Sequence, residues 1–187
     1  MEITPFFQQL RTATEQARRT VQTTFAALDE PLLNYKPGPE QWSILECLEH
    51  LNRYSRYYHP QLSKAVASAS AATGPEVVFG WLGRKSLESV KPNDARRHKT
   101  LRHMNPNNSR LRKEAVLSEF AEHQTQLLEL LTAARGINLN RKVVPIEFFK
   151  LLKLTTGETL QFLVDHTQRH LQQAERVRQG LRVELAV

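Results

Sequence analysis

Apolar residues recur at steps of three and four in four separate stretches of this chain, the signature of amphipathic helices. In the first, Phe7, Leu10, Thr14, Ala17, Val21, Phe25 and Leu28 share one side, and the other side is polar and partly basic. Thr4 before Pro5 predicts the start, because a threonine hydroxyl satisfies a free backbone donor and proline is tolerated at the first helical position. Pro31 ends the pattern, and Pro37, Gly38 and Pro39 extend the break into a loop. A second helix follows from Ser43, where Glu46 three residues later completes a capping box behind Trp42, a candidate hydrophobic staple. Its inward stripe is Ile44, Leu45, Leu48, Leu51, Tyr54, Tyr58, Leu62 and Val66.

From about residue 67 to 108 neither the helical nor the strand period is sustained. A structureless loop of that length is unusual inside a domain, so short helices or a functional role are expected there, with Phe79, Trp81 and Leu82 pinning the segment to the bundle. The third helix is predicted from Ser109 to Ala134, with Val116, Phe120, His123, Leu127, Leu130 and Leu131 on one side and Gly136 as its terminator. Residues 137 to 154 read as an irregular return. Thr155 and Glu158 then form another capping box, and Leu160, Leu163, His166, His170, Ala174, Val177 and Leu181 make the buried face of a helix reaching Gly180. Four amphipathic helices without convincing strand pairs predict an all-α four-helix bundle, residues 1–187 as one domain, with a long irregular excursion between helices two and three.

Composition narrows the chemistry. Hydrophobic residues make up 40% and charged residues 24% of the chain, as in an ordinary globular protein. No apolar run is long enough for a membrane span, and the opening Met-Glu-Ile-Thr-Pro lacks the regions of a signal peptide, so the expected address is the cytoplasm without membrane attachment. One cysteine, Cys47, excludes an internal disulfide and cysteine-rich zinc modules, which leaves histidine and carboxylate as metal ligands. The formal charge of +7 is concentrated in residues 84 to 113, where Arg84, Lys85, Lys91, Arg96, Arg97, Lys99, Arg102, Arg110, Arg112 and Lys113 face only Glu88 and Asp94. Such a stretch suits an acidic partner. No nucleic-acid motif accompanies it, so nucleic acid is not the expected partner.

His166 and His170 stand four apart on the predicted fourth helix, so their imidazoles emerge one turn apart on one face. Both fall on an apolar stripe, where an unpaired imidazole is costly and a shared metal ion would satisfy the two together. The third ligand has to come from another helix. His50 lies at the edge of its helix's stripe near Tyr54 and Tyr57, whereas His123 lies squarely on the third helix's stripe, so periodicity leaves both open. A carboxylate partner for the ligands is not evident: Glu46 is committed to its capping box, and Glu49 and Asp165 adjoin the histidines in sequence and point elsewhere around their helices. Cys47 reads as a small core residue.

The segment Gln41-Trp42-Ser43-Ile44-Leu45-Glu46-Cys47-Leu48-Glu49-His50-Leu51, with His166-Thr167-Gln168-Arg169-His170-Leu171-Gln172-Gln173 near the end, resembles the DinB-like (DNA-damage-inducible, YfiT-like) metal-binding superfamily. In that family a Trp-Ser start to the second helix leads to a histidine and a His-x-x-x-His pair closes the site from the fourth. The resemblance implies a metal triad of His50, His166 and His170, preferring His50 over His123. It further implies a divalent ion, zinc or nickel, and a small-molecule substrate that in some relatives is a low-molecular-weight thiol such as bacillithiol or mycothiol. Three neutral imidazoles leave the ion its full charge, able to lower the pKa of a bound water or thiol, so hydrolysis or thiol transfer is the expected reaction. Family habit implies a homodimer. The rival expectation is a non-catalytic module that binds an acidic partner through residues 84 to 113, with the histidines structural or vacant.

Overall fold

The computed structural model describes residues 1–92 and 100–184. Among them, four helices are long: α1 (Ile3–Thr20), α3 (Ile44–Ala67), α5 (Lys113–Ala133) and α6 (Thr156–Glu184), with two short ones, α2 (Glu30–Leu33) and α4 (Trp81–Val90). α3 packs against both α5 and α6, and α1 packs against the same two. The bundle therefore runs α1, α5, α3, α6 around its axis, and the long helices that follow one another in the chain, α1 and α3, sit across the diagonal. Among the described residues no helix is long and apolar enough to cross a membrane.

The predicted stripes are the buried faces. Phe7, Leu10, Thr14 and Ala17 of α1, Val116, Phe120, Leu127 and Leu131 of α5, and Leu160, Leu163, Ala174, Val177 and Leu181 of α6 are all buried. The core divides into two apolar clusters. One holds Phe6, Leu10, Tyr58, Leu62, Leu127, Leu160 and Leu163; the other holds Ala17, Phe25, Leu45, Leu48, Phe120, Leu171 and Ala174. On α6 the change from one cluster to the other falls between Val164 and Leu171, and on α3 between Leu51 and Tyr58. The α6 gap holds His166 and His170, and His50 of α3 stands one residue before the change on its helix.

α3 and α6 are each started by a reciprocal cap. Ser43 Oγ accepts from Glu46 N at 3.1 Å and Glu46 Oε2 accepts from Ser43 N at 2.8 Å. Thr155 Oγ1 accepts from Glu158 N at 3.0 Å and Glu158 Oε2 accepts from Thr155 N at 2.8 Å. Both boxes match the sequence expectation and contribute about 1 kcal/mol each to helix definition. Glu158 does more than the sequence showed: its Oε1 accepts from Gly80 N at 2.7 Å, so one carboxylate caps α6 and also the start of α4. A methyl group added at Gly83, one turn into α4, would fall on that carboxylate.

Several boundaries differ from the pattern. Thr4 is not the first cap; α1 begins at Ile3 behind Glu2, because Ile3 N donates to Pro75 O at 2.9 Å and Val77 N to Met1 O at 2.8 Å, tying the first residues to the excursion. After Thr20 the first helix continues as a π-helical turn, Val21–Phe25. Pro31 opens no loop of its own: it sits in the first turn of α2, where its missing N–H costs nothing. α5 starts at Lys113 rather than Ser109, and Gly136 takes the left-handed φ of 81° expected of a residue that ends a helix.

The return after α5 is not irregular throughout. β1 (Lys142–Ile146) and β2 (Phe149–Thr155) pair antiparallel, Val144 with Leu154 and Ile146 with Phe149, and β2 runs straight into the cap of α6. Inside the excursion, α4 and a 3-10 turn, Arg102–Met104, supply the short helices expected. Phe79 packs on Phe6 with ring centroids 6.3 Å apart, but Trp81 is 69% exposed and pins nothing. The basic excursion is only partly visible: Asp94, Arg96, Arg97, His98 and Lys99 lie outside the described residues.

Candidate metal centre

His166 and His170 enter from successive turns of α6, in the gap between the two apolar clusters, and His50 enters from α3 at the edge of the second cluster. His50, His166 and His170 are 2%, 4% and 8% exposed. The ring centroids of His50 lie 4.9 Å from His166 and 4.5 Å from His170, and those of His166 and His170 lie 4.6 Å apart. One ring nitrogen from each of the three falls within 4.8 Å of the other two, the single such group of three or more ligating side chains among the described residues.

The hydrogen bonds around the triad fix which nitrogens face inward. His50 Nδ1 stands 2.7 Å from the carbonyl oxygen of Met104. A carbonyl only accepts, so Nδ1 carries the proton and Nε2 presents a lone pair to the centre. His170 Nδ1 likewise donates to Gln173 Oε1 at 3.0 Å. His50 Nε2 and His166 Nε2 approach to 3.1 Å, and His166 Nδ1 is buried with no hydrogen-bond partner among the described residues. Burial holds all three imidazoles neutral: His50 is pushed down to about 4, and His166 and His170 lie well below the usual histidine range, with their mutual repulsion adding to the effect. Neutral imidazole with its lone pair turned inward is the form that binds a divalent ion.

Aromatic rings wall the centre. Trp42 lies over His50 at 4.7 Å and stacks on His170 at 5.6 Å, so the residue expected to staple α3 also closes one side of the site. Tyr54 closes the other, 4.9 Å from His50 and 4.4 Å from His166. Burial and the Glu147 charge raise the Tyr54 hydroxyl to about 12, which leaves it a donor at neutral pH. Glu49 is tied up by Arg53 at 2.9 Å and Arg56 at 3.1 Å, and Asp165 by Gln161 at 2.8 Å. Cys47 is fully buried, and burial raises its thiol far above the usual range, so it is a core residue.

His123 is not part of this group. Its ring packs on His59 at 5.2 Å, in the seam between α3 and α5, with Nε2 3.3 Å from Glu119 Oε1. The sequence profile of the DinB superfamily matches residues 13–174. The chain belongs to the DinB superfamily. Its similarity extends to YuaE, an uncharacterized protein of Bacillus subtilis (strain 168), at 25% identity over 89% of this chain and 95% of the relative. Among solved structures it is similar to YfiT from Bacillus subtilis, at a TM-score of 0.59 and 11% identity, over 94% of this chain and 87% of that one. That protein is described as a probable metal-dependent hydrolase with an unusual four-helix bundle topology. At this identity the likeness establishes the fold alone.

Sequence reasoning missed three members of this DinB-superfamily site: Met104, whose carbonyl sets the His50 tautomer, Gln173, and Trp42 as a wall. Gln173 was legible in principle, three residues after His170 on the same helix. Met104 was not, because a backbone acceptor 54 residues away leaves no mark on residue type.

Proposed function

We propose that this chain is a divalent-metal-dependent enzyme in which His50, His166 and His170 hold the ion, zinc or nickel, and the reaction on a small-molecule substrate is hydrolysis or transfer of a low-molecular-weight thiol. The observation that carries the reading is the convergence of three buried neutral imidazoles from two helices, two of them with their outer nitrogens already committed as donors. Two outer donor bonds of this kind orient metal-ligating histidines and raise their basicity. The donor set fits a borderline ion: three nitrogens and no thiolate, with Cys47 turned into the core. When bound, such an ion supplies Lewis acidity that brings a water or thiol toward ionisation at neutral pH.

The chain's own residues supply the rest. Met104 O keeps His50 in one tautomer, and Gln173 does the same for His170. Trp42 and Tyr54 exclude bulk water from two sides, which strengthens every charge interaction inside. The Tyr54 hydroxyl keeps its proton at neutral pH and is a potential donor to the substrate. Cys47 does not compete as nucleophile, so the attacking group arrives from outside the chain.

Untagged protein, stripped with chelator and reloaded with zinc or nickel, is expected to hold about one ion per chain by elemental analysis. Less than about a tenth of an ion per chain after loading with either metal sinks the reading. Loaded protein then meets panels of esters and amides, and of thiols paired with electrophiles. Turnover that disappears on chelation and returns on reloading identifies the reaction class.

A further inference from the structure

His50 is the first step of a ladder of rings along α3. Tyr54 and Tyr58 follow at intervals of four residues, one turn each, with His50 and Tyr54 centroids 4.9 Å apart and Tyr54 and Tyr58 stacked at 6.1 Å. Phe162 of α6 forms the opposite rail, 6.1 Å from Tyr54 and 5.6 Å from Tyr58. At the far end stands Glu147, in the turn between β1 and β2. Its backbone N–H donates to the Tyr58 hydroxyl at 3.3 Å, and the Tyr57 hydroxyl donates to Pro145 O at 3.4 Å, so α3 holds the hairpin turn in place.

The Glu147 side chain is only 6% exposed. Oε1 accepts from Nε2 of His103, whose side chain is 61% exposed; Oε2 is buried with no partner among the described residues. A buried carboxylate is normally paired, because its desolvation is otherwise uncompensated. Cations are plentiful in this chain, and the hairpin itself carries Arg141, Lys142, Lys150 and Lys153. None of these makes an ion pair with Glu147. The Glu147 charge does reach the hydroxyls of Tyr54, Tyr57 and Tyr58, adding to burial in holding all three above the usual phenol range. A buried carboxylate with one oxygen on an exposed histidine and the other without a partner, beside electron-rich rings, is the chemistry that receives a positively charged nitrogen: an ion pair from the carboxylate and attraction to the rings.

We propose that Glu147 receives a cationic nitrogen, ammonium or guanidinium, of the small-molecule substrate whose reacting end lies at His50, His166 and His170; the second half of that statement rests on the function proposed above. His50 and Tyr58 are separated by two turns, about 12 Å of helix rise, which bounds the distance between the cationic and reacting ends. His103 covers the carboxylate from the solvent side and gives it up to the incoming group. The same 3-10 turn carries Met104, the acceptor for His50, so both ends of the ladder touch one short segment.

Hexylamine and hexanol, alike in length and differing in charge, test this by calorimetric titration into the full chain, metal-free and zinc-loaded. Hexylamine is expected to bind about tenfold tighter or more than hexanol in both forms, and Glu147→Gln is expected to bring the two probes to within about twofold. His103→Ala uncovers the carboxylate and is expected to tighten hexylamine several-fold while leaving hexanol unchanged. Equal affinities in the wild type, or a preference for the amine that survives Glu147→Gln, overturn the proposal. Circular dichroism checks that Glu147→Gln folds; should it not, His103→Ala decides, and no gain in hexylamine affinity overturns the proposal. Zinc stoichiometry near zero with the amine preference intact counts against the metal centre alone, whereas full zinc stoichiometry without the preference counts against Glu147 alone.

Discussion

His50 and His59 stand nine residues apart on α3, two and a half turns, so the first faces α6 and the second faces α5. Each meets further histidine on the neighbouring helix, and the two clusters are buried alike. They differ in where the hydrogen-bond partners stand. In the seam with α5, His59 Nδ1 and His123 Nδ1 converge on Gln126 Oε1 at 3.2 and 3.3 Å, and His123 Nε2 faces Glu119, itself held by Arg56 at 2.5 Å. Partners lie between and beside the rings. In the seam with α6 the partners, Met104 O and Gln173 Oε1, lie outside the cluster, and the inner nitrogens face one another. A pair of histidines on a buried face is thus no guide to a metal; the position of its acceptors is.

The largest effect should come from removing an inner nitrogen. His166→Ala is expected to reduce bound zinc or nickel from about one ion per chain to below about a tenth, because two imidazoles on separate helices hold a divalent ion poorly. His123→Ala should leave the stoichiometry as it is. Elemental analysis of the two loaded variants side by side breaks the comparison if His123→Ala loses metal or His166→Ala keeps it.

Acid should act through the other cluster even when no metal is present. Burial pushes His59 from 6.5 down to about 4, with the neighbouring His123 lowering it further and Gln126 opposing. The unfolded chain therefore takes up a proton at His59 before the folded chain does. Its contribution is fully present above pH 6.5, is lost as pH falls from there to about 4, and changes no more below that. The full loss is on the order of 3 kcal/mol. Metal-free His59→Phe, followed by urea denaturation across that range, should show a flatter acid limb than the parent chain. An unchanged slope would mean that His59 is hydrated in the folded state.

How much of this was legible follows from where each signal resides. The four long helices and both capping boxes were readable because their determinants are local: stripe periodicity and a hydroxyl three residues before a glutamate. His166 and His170 were readable as a pair because α6 has one buried face and both lie on it. His50 was not placed by its wheel position, since residues 43 to 52 are buried on every side and a stripe edge has no meaning there. That candidate ligand came from the resemblance. The hairpin escaped because Leu151 is 83% and Leu152 41% exposed, so β2 shows no alternation of buried and exposed residues, and Pro145 sits within β1. Glu147 escaped for a different reason: only the hairpin brings its carboxylate beside tyrosines 90 residues earlier or thereabouts, as the Glu147–Tyr58 separation of 89 shows.

The smallest predicted effect separates the clusters by sign. Gln126 is an exposed side chain whose amide oxygen serves two buried ring nitrogens, so Gln126→Leu takes away their acceptor and hands at best part of the job to water. A cost of about 1 kcal/mol is expected. His166 is the opposite case in metal-free protein: Nδ1 is buried without a partner, and Nε2 meets only the Nε2 of His50. Leucine fills a similar volume, relieving the unpartnered Nδ1 at the loss of one nitrogen–nitrogen contact with His50, so metal-free His166→Leu should be neutral to stabilising, with a gain of up to about 1 kcal/mol. The gain should vanish in zinc-loaded protein, where the parent chain alone is stabilised by the ion. Paired urea melts with and without chelator measure both signs at once. A loss of stability in metal-free His166→Leu comparable to that in Gln126→Leu would show that His166 is held by partners in the same way as His123, and that the α6 seam is no more prepared for a metal than the α5 seam.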